Sequence, residues 1–189
     1  MTGFGAVLDA CVLVPYVLTD SLLSIAGEQL FEPLWSDVIL DETFRSLKKI
    51  YPHREHYSFE ARLASMDRAF PHARVAGGQS LEQGIARYWP DPKDAHVVAT
   101  AIAGRAEIIV TSNLKDFPND LLGELGLHAS SPDAFLLDLL DLNTELVVSA
   151  LIKQAARTNR PSLTISRVLD SLNPLVPSFS ATVRELLHS

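Results

Sequence analysis

Residues 91–118, DPKDAHVVATAIAGRAEIIVTSNLKDFP, constrain the fold more than any other part of the chain. They hold a helix start, a helix, a stop, a strand and a polar loop in unbroken succession. Asp91 suits an N-cap and Pro92 the first helical position. Ala95, Val98, Ala99 and Ile102 form an apolar face at helical spacing. Gly104 predicts the stop, as a C′ residue of left-handed conformation. Residues 107–110, Glu-Ile-Ile-Val, predict a short buried strand that opens into the loop 111–116.

The acids fall at telling places. Asp94 lies in the first helical turn; Asn113 and Asp116 lie just past a strand's carboxyl end. In open α/β sheets, ligand sites form outside the carboxyl ends of parallel strands. Oxygen ligands gathered there suit a hard cation such as Mg2+ or Mn2+. A plainer account stands beside this one. Asp91 and Asp94 can act as a capping box, and Asn113 and Asp116 as ordinary turn residues.

Bulk properties narrow the class. The 189 residues are 47% hydrophobic and 21% charged, which suits one globular domain with a real core. No apolar run is long enough to span a membrane. MTGFGAVLDA lacks a charged n-region and a long apolar core, so no secretory signal is expected. A single cysteine, Cys11, excludes an internal disulfide and fits a reducing cytoplasm; it is expected to be a buried, inert thiol. The net charge of -7 argues against an extended basic footprint, although bound cations would offset an acidic pocket.

Along the chain, residues 5–8 predict a first strand ending at Asp9. A helix is expected from Val12 to Leu18 and a second from about Ser21 to Leu30, with Thr19-Asp20-Ser21 as punctuation. Residues 32–35 read as an extended piece broken by Pro33. Ser36 caps a helix from Asp37 to about Ile50 that carries Glu42, whose default reading is a solvated helical acid. Residues 56–70 form another amphipathic helix. Arg45, Lys48 and Lys49 begin a run of cations that is either a phosphate-facing surface or a solvated helix face. A short strand is expected at 73–76, a weak helix at 81–88, a short helix at 119–125, a last strand at 127–129 and a helix from Ser131 to Leu140. His96 reads as a surface residue of its helix. Residues 143–189 show three helical patterns split at Arg160-Pro161, Asn173-Pro174 and Pro177. They predict a helical extension on a domain of residues 1–142.

LDACVL around Asp9, SDVILDETFRSL around Glu42, DPKDAHVVATAI around Asp94 and IIVTSNLKDFP around Asn113 and Asp116 occur in an order that resembles the PIN-domain family, and within it the VapC-like toxin ribonucleases. The resemblance implies a three-layer α/β/α fold with a central parallel sheet of four to five strands. It implies a Mg2+- or Mn2+-dependent endoribonuclease, the toxin of a toxin–antitoxin pair, with RNA as substrate, a cognate antitoxin as partner and a homodimer as assembly. Carried over by position, Asp9, Glu42, Asp94 and Asp116 are the catalytic acids. Asp9, Asp94, Asp116 and Asn113 are the metal ligands, with Thr111, Ser112 and Asp91 in support. Many members have Asp where this chain has Asn113, which keeps an oxygen and loses a charge. The alternative is a degenerate module of the same fold that binds RNA or protein without cleaving. A phosphatase with an aspartyl nucleophile is set aside, because Cys11 stands where its second Asp belongs.

Overall fold

A computed structural model describes residues 3–157 and 164–188. Four parallel strands form the sheet: β1 (Phe4–Leu8), β2 (Phe31–Leu34), β3 (Ile108–Val110) and β4 (His128–Ser130), in the order β2-β1-β3-β4. Between β1 and β2 lie α1 (Ala10–Leu13) and α2 (Tyr16–Ala26). Between β2 and β3 lie α3 (Asp37–Ile50), α4 (His56–Ala69), α5 (Gln79–Ile85) and α6 (Ala95–Ala103). After β3 come α7 (Asn119–Glu124), then β4, α8 (Pro132–Leu142), α9 (Thr144–Arg157), α10 (Ile165–Leu172) and α11 (Pro177–His188). The fold is the expected three-layer α/β/α arrangement with helical C-terminal elements. Among the described residues no helix is long and apolar enough to cross a membrane.

Strand order fixes where a site can form. The chain steps from β1 to β2 on one side, then crosses back over β1 to reach β3. Parallel crossovers are right-handed, so reversing the direction of travel puts α2 and α6 on opposite faces. The crevice between β1 and β3, at their carboxyl ends, is the switch point. Ala6, Val7 and Leu8 of β1 and Ile109 and Val110 of β3 are fully buried, as strands covered on both faces require. Pro33 is tolerated because β2 is an edge strand.

Several expectations change on physical grounds. Thr19-Asp20-Ser21 does not divide two helices; α2 runs through it. The Thr19 hydroxyl donates back to the Leu13 carbonyl at the end of α1 at 2.9 Å, and the Ser21 hydroxyl to the Val17 carbonyl one turn earlier in α2 at 2.9 Å, so neither side chain breaks the helix. Gly104 is right-handed at φ -83, and Arg105 takes the left-handed position at φ 53. Glycine is needed at 104 for space, because a Cβ there would stand 2.8 Å from Val75 Cγ2. Residues 73–76 make only an isolated bridge between Arg74 and Trp35. Pro177 opens α11 instead of breaking it, since proline suits the first helical turn. The break expected at Arg160-Pro161 lies outside the described residues.

One continuous core runs from the sheet into the C-terminal helices. Phe135 of α8 packs edge-on against Phe4 and Phe31, with centroids 6.2 and 5.0 Å away. Helix α9 lies along α2, and the Ser21 hydroxyl donates to Gln154 Oε1 at 2.9 Å across that contact.

Candidate active site

Asp9 is the first residue after β1 and the N-cap of α1. Its backbone N–H still bonds the Val110 carbonyl of β3 at 3.1 Å, which pins the carboxylate to the switch point. Oδ1 accepts from the Ala10 N–H at 2.6 Å and Oδ2 from the Thr111 hydroxyl at 2.7 Å. Thr111, fully buried at the end of β3, also accepts from the Asn113 N–H at 3.0 Å. It therefore couples both strand ends.

Asp91 and Asp94 divide the work that a capping box would share. Asp91 Oδ1 accepts from the Lys93 N–H at 3.0 Å and caps a 3-10 turn, Pro92–Asp94. Asp94 stands at the N-cap of α6, yet its side chain makes no cap hydrogen bond. Its carboxyl is pushed up to about 6, first by burial, then by the negative charges of Asp91, Asp116 and Asp9. Three aspartates, brought in from three places in the sequence, thus act electrostatically on Asp94. Asp116 closes a 3-10 turn, Leu114–Asp116, and its carbonyl accepts from the buried Trp89 Nε1 at 3.0 Å. The Asn113 amide donates to the Asp116 carboxylate and orients it.

Glu42 is held by a different partner. It projects from α3, and its Oε2 faces His96 Nε2 at 3.2 Å. His96 is only 5% exposed, which corrects its reading as a surface residue. Its Nδ1 bonds the Lys93 carbonyl at 2.6 Å. At that distance Glu42 acts on Nε2 both as a close, imperfectly aligned acceptor and as a charge. Burial works against charging His96, but Glu42 and the Lys93 carbonyl outweigh it and raise its pKa.

Sequence reading missed the places of two more residues. Cys11 is exposed, not buried. Its Sγ contacts Asp9 Oδ2 at 3.1 Å and accepts from the exposed Ser112's N–H at 3.3 Å. Local burial of the sulfur and the Asp9 charge push the thiol up to about 11, so it stays protonated and weakly reactive. Arg62 of α4 donates to the Leu13 carbonyl at 2.6 Å, the Val14 carbonyl at 3.2 Å and the Thr19 hydroxyl at 2.9 Å. It braces the corner that follows Asp9. The only sequence signal was Pro15, which stops α1 and leaves carbonyls without helical donors. Arg45, Lys48 and Lys49 are exposed on the second half of α3.

The donors are hard oxygens, and the repulsion focused on Asp94 is what a divalent cation would relieve. Among the described residues no three His, Cys, Asp or Glu side chains close on a single point. Mg2+ would keep several waters here, taking some of these carboxylates directly and the others through water.

Comparison with known proteins agrees with this geometry. The PIN-domain model matches residues 5–115, more than half of the chain, and a model described as the VapC50 C-terminal domain matches residues 132–185. A Mycobacterium tuberculosis (strain ATCC 25618 / H37Rv) protein named "Putative ribonuclease VapC50" is 43% identical over 97 residues, 51% of this chain and 57% of that protein. The aligned part is therefore little more than half of that relative's length. No solved structure matches. With Asp9, Glu42, Asp94 and Asn113 all inside the matched region and Asp116 just beyond it, the chain belongs to the PIN-domain family.

Proposed function

We propose that the protein is a divalent-metal-dependent endoribonuclease, the toxin component of a toxin–antitoxin pair. The observation that carries this reading is the Asp94 carboxyl, set at a helix start against Asp9 and Asp116 and driven to about 6 without serving as a cap. A purely structural acid at that position would cap the helix, as Asp91 does.

In this reading Asp9, Asp94 and Asp116 hold Mg2+ or Mn2+, and Asn113 keeps Asp116 aimed inward. Thr111 fixes Asp9, while Asp91 adds negative charge; the Ser112 N–H steadies Cys11 at the rim. A bound cation supplies a Lewis acid that stabilises charge on the attacked phosphate and eases deprotonation of water. Glu42 has Oε2 turned to His96, so Oε1 accepts the proton of the attacking water. The water oxygen bonds to phosphorus, the ribose oxygen leaves, and a proton returns to it. The reading extends to a cognate antitoxin, a homodimer and a cytoplasmic setting. It also divides the chain into a nuclease domain, 1–142, and a helical extension, 143–189.

The test is cleavage of a mixed RNA by the purified protein in Mn2+, Mg2+ or EDTA, beside Asp9→Asn and Asp94→Asn. Cleavage that requires metal and both acids is expected. Folded, metal-responsive protein that leaves every RNA intact would move the chain to the non-cleaving member of the family.

A further inference from the structure

We propose that the α3–α4 tip, with the second half of α3, is a docking surface for unpaired RNA. Bases stack on Tyr51 and Tyr57, and phosphates lie on Arg45, Lys49 and Arg54. This rests on the ribonuclease reading and names how the substrate is held outside the acid pocket.

Charge is the first observation. Residues 45–54, the second half of α3 and the turn after it, hold four of the 16 Lys and Arg and none of the 23 acids of a chain whose net charge is -7. A polyanion repelled by the rest of the molecule is steered to this face.

The second observation is aromatic. Every residue from 48 to 58 is exposed. Tyr57 is 68% and Tyr51 44% exposed. The Arg54 guanidinium stands 5.5 Å from the Tyr51 ring centroid, and Lys48 Nζ stands 5.4 Å from that of Phe44. A solvated helix face accounts for Arg45 and Lys49 but not for these exposed rings. Rings interleaved with cations are how proteins hold single strands, whose bases are free to stack; a duplex keeps its bases stacked within itself.

Position is the third. Glu42, Arg45 and Lys49 fall at i, i+3 and i+7 of α3 and share one stripe. From Glu42 to Lys49 the helix rises about 10 Å. Glu42 faces His96, two residues beyond Asp94. A backbone lying on the stripe is thus delivered to the acids at one end and to the tyrosines at the other.

The experiment measures fluorescence anisotropy of a short labelled oligo(A), alone or annealed to oligo(U), with the full chain in EDTA. Tyr57→Ala and Tyr51→Leu (which keeps apolar contact with Phe59) are each expected to weaken single-strand binding roughly 5- to 100-fold. The pair Arg45→Gln and Lys49→Gln is expected to lower the log–log salt slope by about 1.4. Circular dichroism checks that each variant is folded. Absent single-strand binding, equal affinity for the duplex, or tyrosine variants that bind like the parent would each overturn the proposal; the last would leave an ordinary basic face, and the first would fit a tip that seats a protein. Parallel Mn2+ cleavage assays separate the two readings. Cleavage untouched by the tyrosine changes sinks the surface alone, and tight tyrosine-dependent binding without cleavage sinks the nuclease alone.

Discussion

Asp94 shows how one residue can carry a pH dependence for the whole molecule. Its folded pKa, about 6, lies above the ordinary carboxyl value, so the folded state binds more protons than the unfolded state between about pH 4 and 6. Stability is therefore greatest at the acid end of that window and falls as pH rises through it. In EDTA, thermal melts should show this loss in the parent and a flatter profile in Asp94→Asn, with the variant melting higher at neutral pH. Mg2+ or Mn2+ should restore what the parent loses, by about 2.7 kcal/mol at a hundredfold excess over Kd, and should do little for Asp94→Asn. A parent melt indifferent to metal would sink the cation site. His96 works in the next window up. Its folded pKa is raised, so its contribution is complete below about pH 6.5 and is lost as pH climbs through the higher folded value. His96→Gln should remove this second loss while leaving the first. Melts of the single and double variants from pH 4 to 9 separate the two.

Individual elements were legible wherever local chemistry sets them. Ser36 before α3, Asp91-Pro92 before α6 and Ser131-Pro132 before α8 cap the helices they announce. The short β-branched run of β3 needed no partner to be read. What failed depended on neighbours distant in sequence. The hydroxyls of Thr19 and Ser21 look like turn formers until their carbonyl acceptors are seen. His96 looks exposed until α3 closes over it with Glu42, and Cys11 looks buried because it sits in an apolar run. Of the acids placed at strand ends and a helix start, Asp9 and Asp116 act electrostatically on Asp94, and Glu42 faces His96. The Arg62 brace was invisible, because no periodicity reports which side chain will reach orphaned carbonyls. Arg62→Met keeps the aliphatic stem, removes the donor to the Val14 carbonyl and leaves the Leu13 carbonyl with the Thr19 hydroxyl alone. It should cost about 1–3 kcal/mol in urea unfolding. It should also lower metal affinity, since the corner it braces begins at Asp9. A variant as stable as the parent would mean that water replaces the guanidinium.

For the whole molecule, the question is whether the C-terminal helices are an attachment or part of the core. Val147, Leu151, Leu169, Leu172, Phe179 and Val183 are all 0% exposed and belong to the same apolar cluster as β1. Helix α9 covers α2, and Asp133 of α8 accepts from the Phe179 N–H at 2.8 Å at the start of α11. Fully burying such side chains contributes about 1.5–3 kcal/mol each, while a domain's net stability is only about 5–15 kcal/mol. Losing six of them removes about 9–18 kcal/mol of burial, as large as that whole margin, and bares the apolar surfaces of α2 and α8 that they cover. A chain ended at Leu142 should therefore fail to fold cooperatively although it contains the sheet and every candidate acid. Circular dichroism, urea unfolding and size-exclusion chromatography would show a broad, weak transition or aggregates, against one cooperative transition for the full chain. A shortened chain that unfolds cooperatively and still melts higher with Mg2+ would instead make the extension dispensable to the fold, leaving its apolar face free for another role.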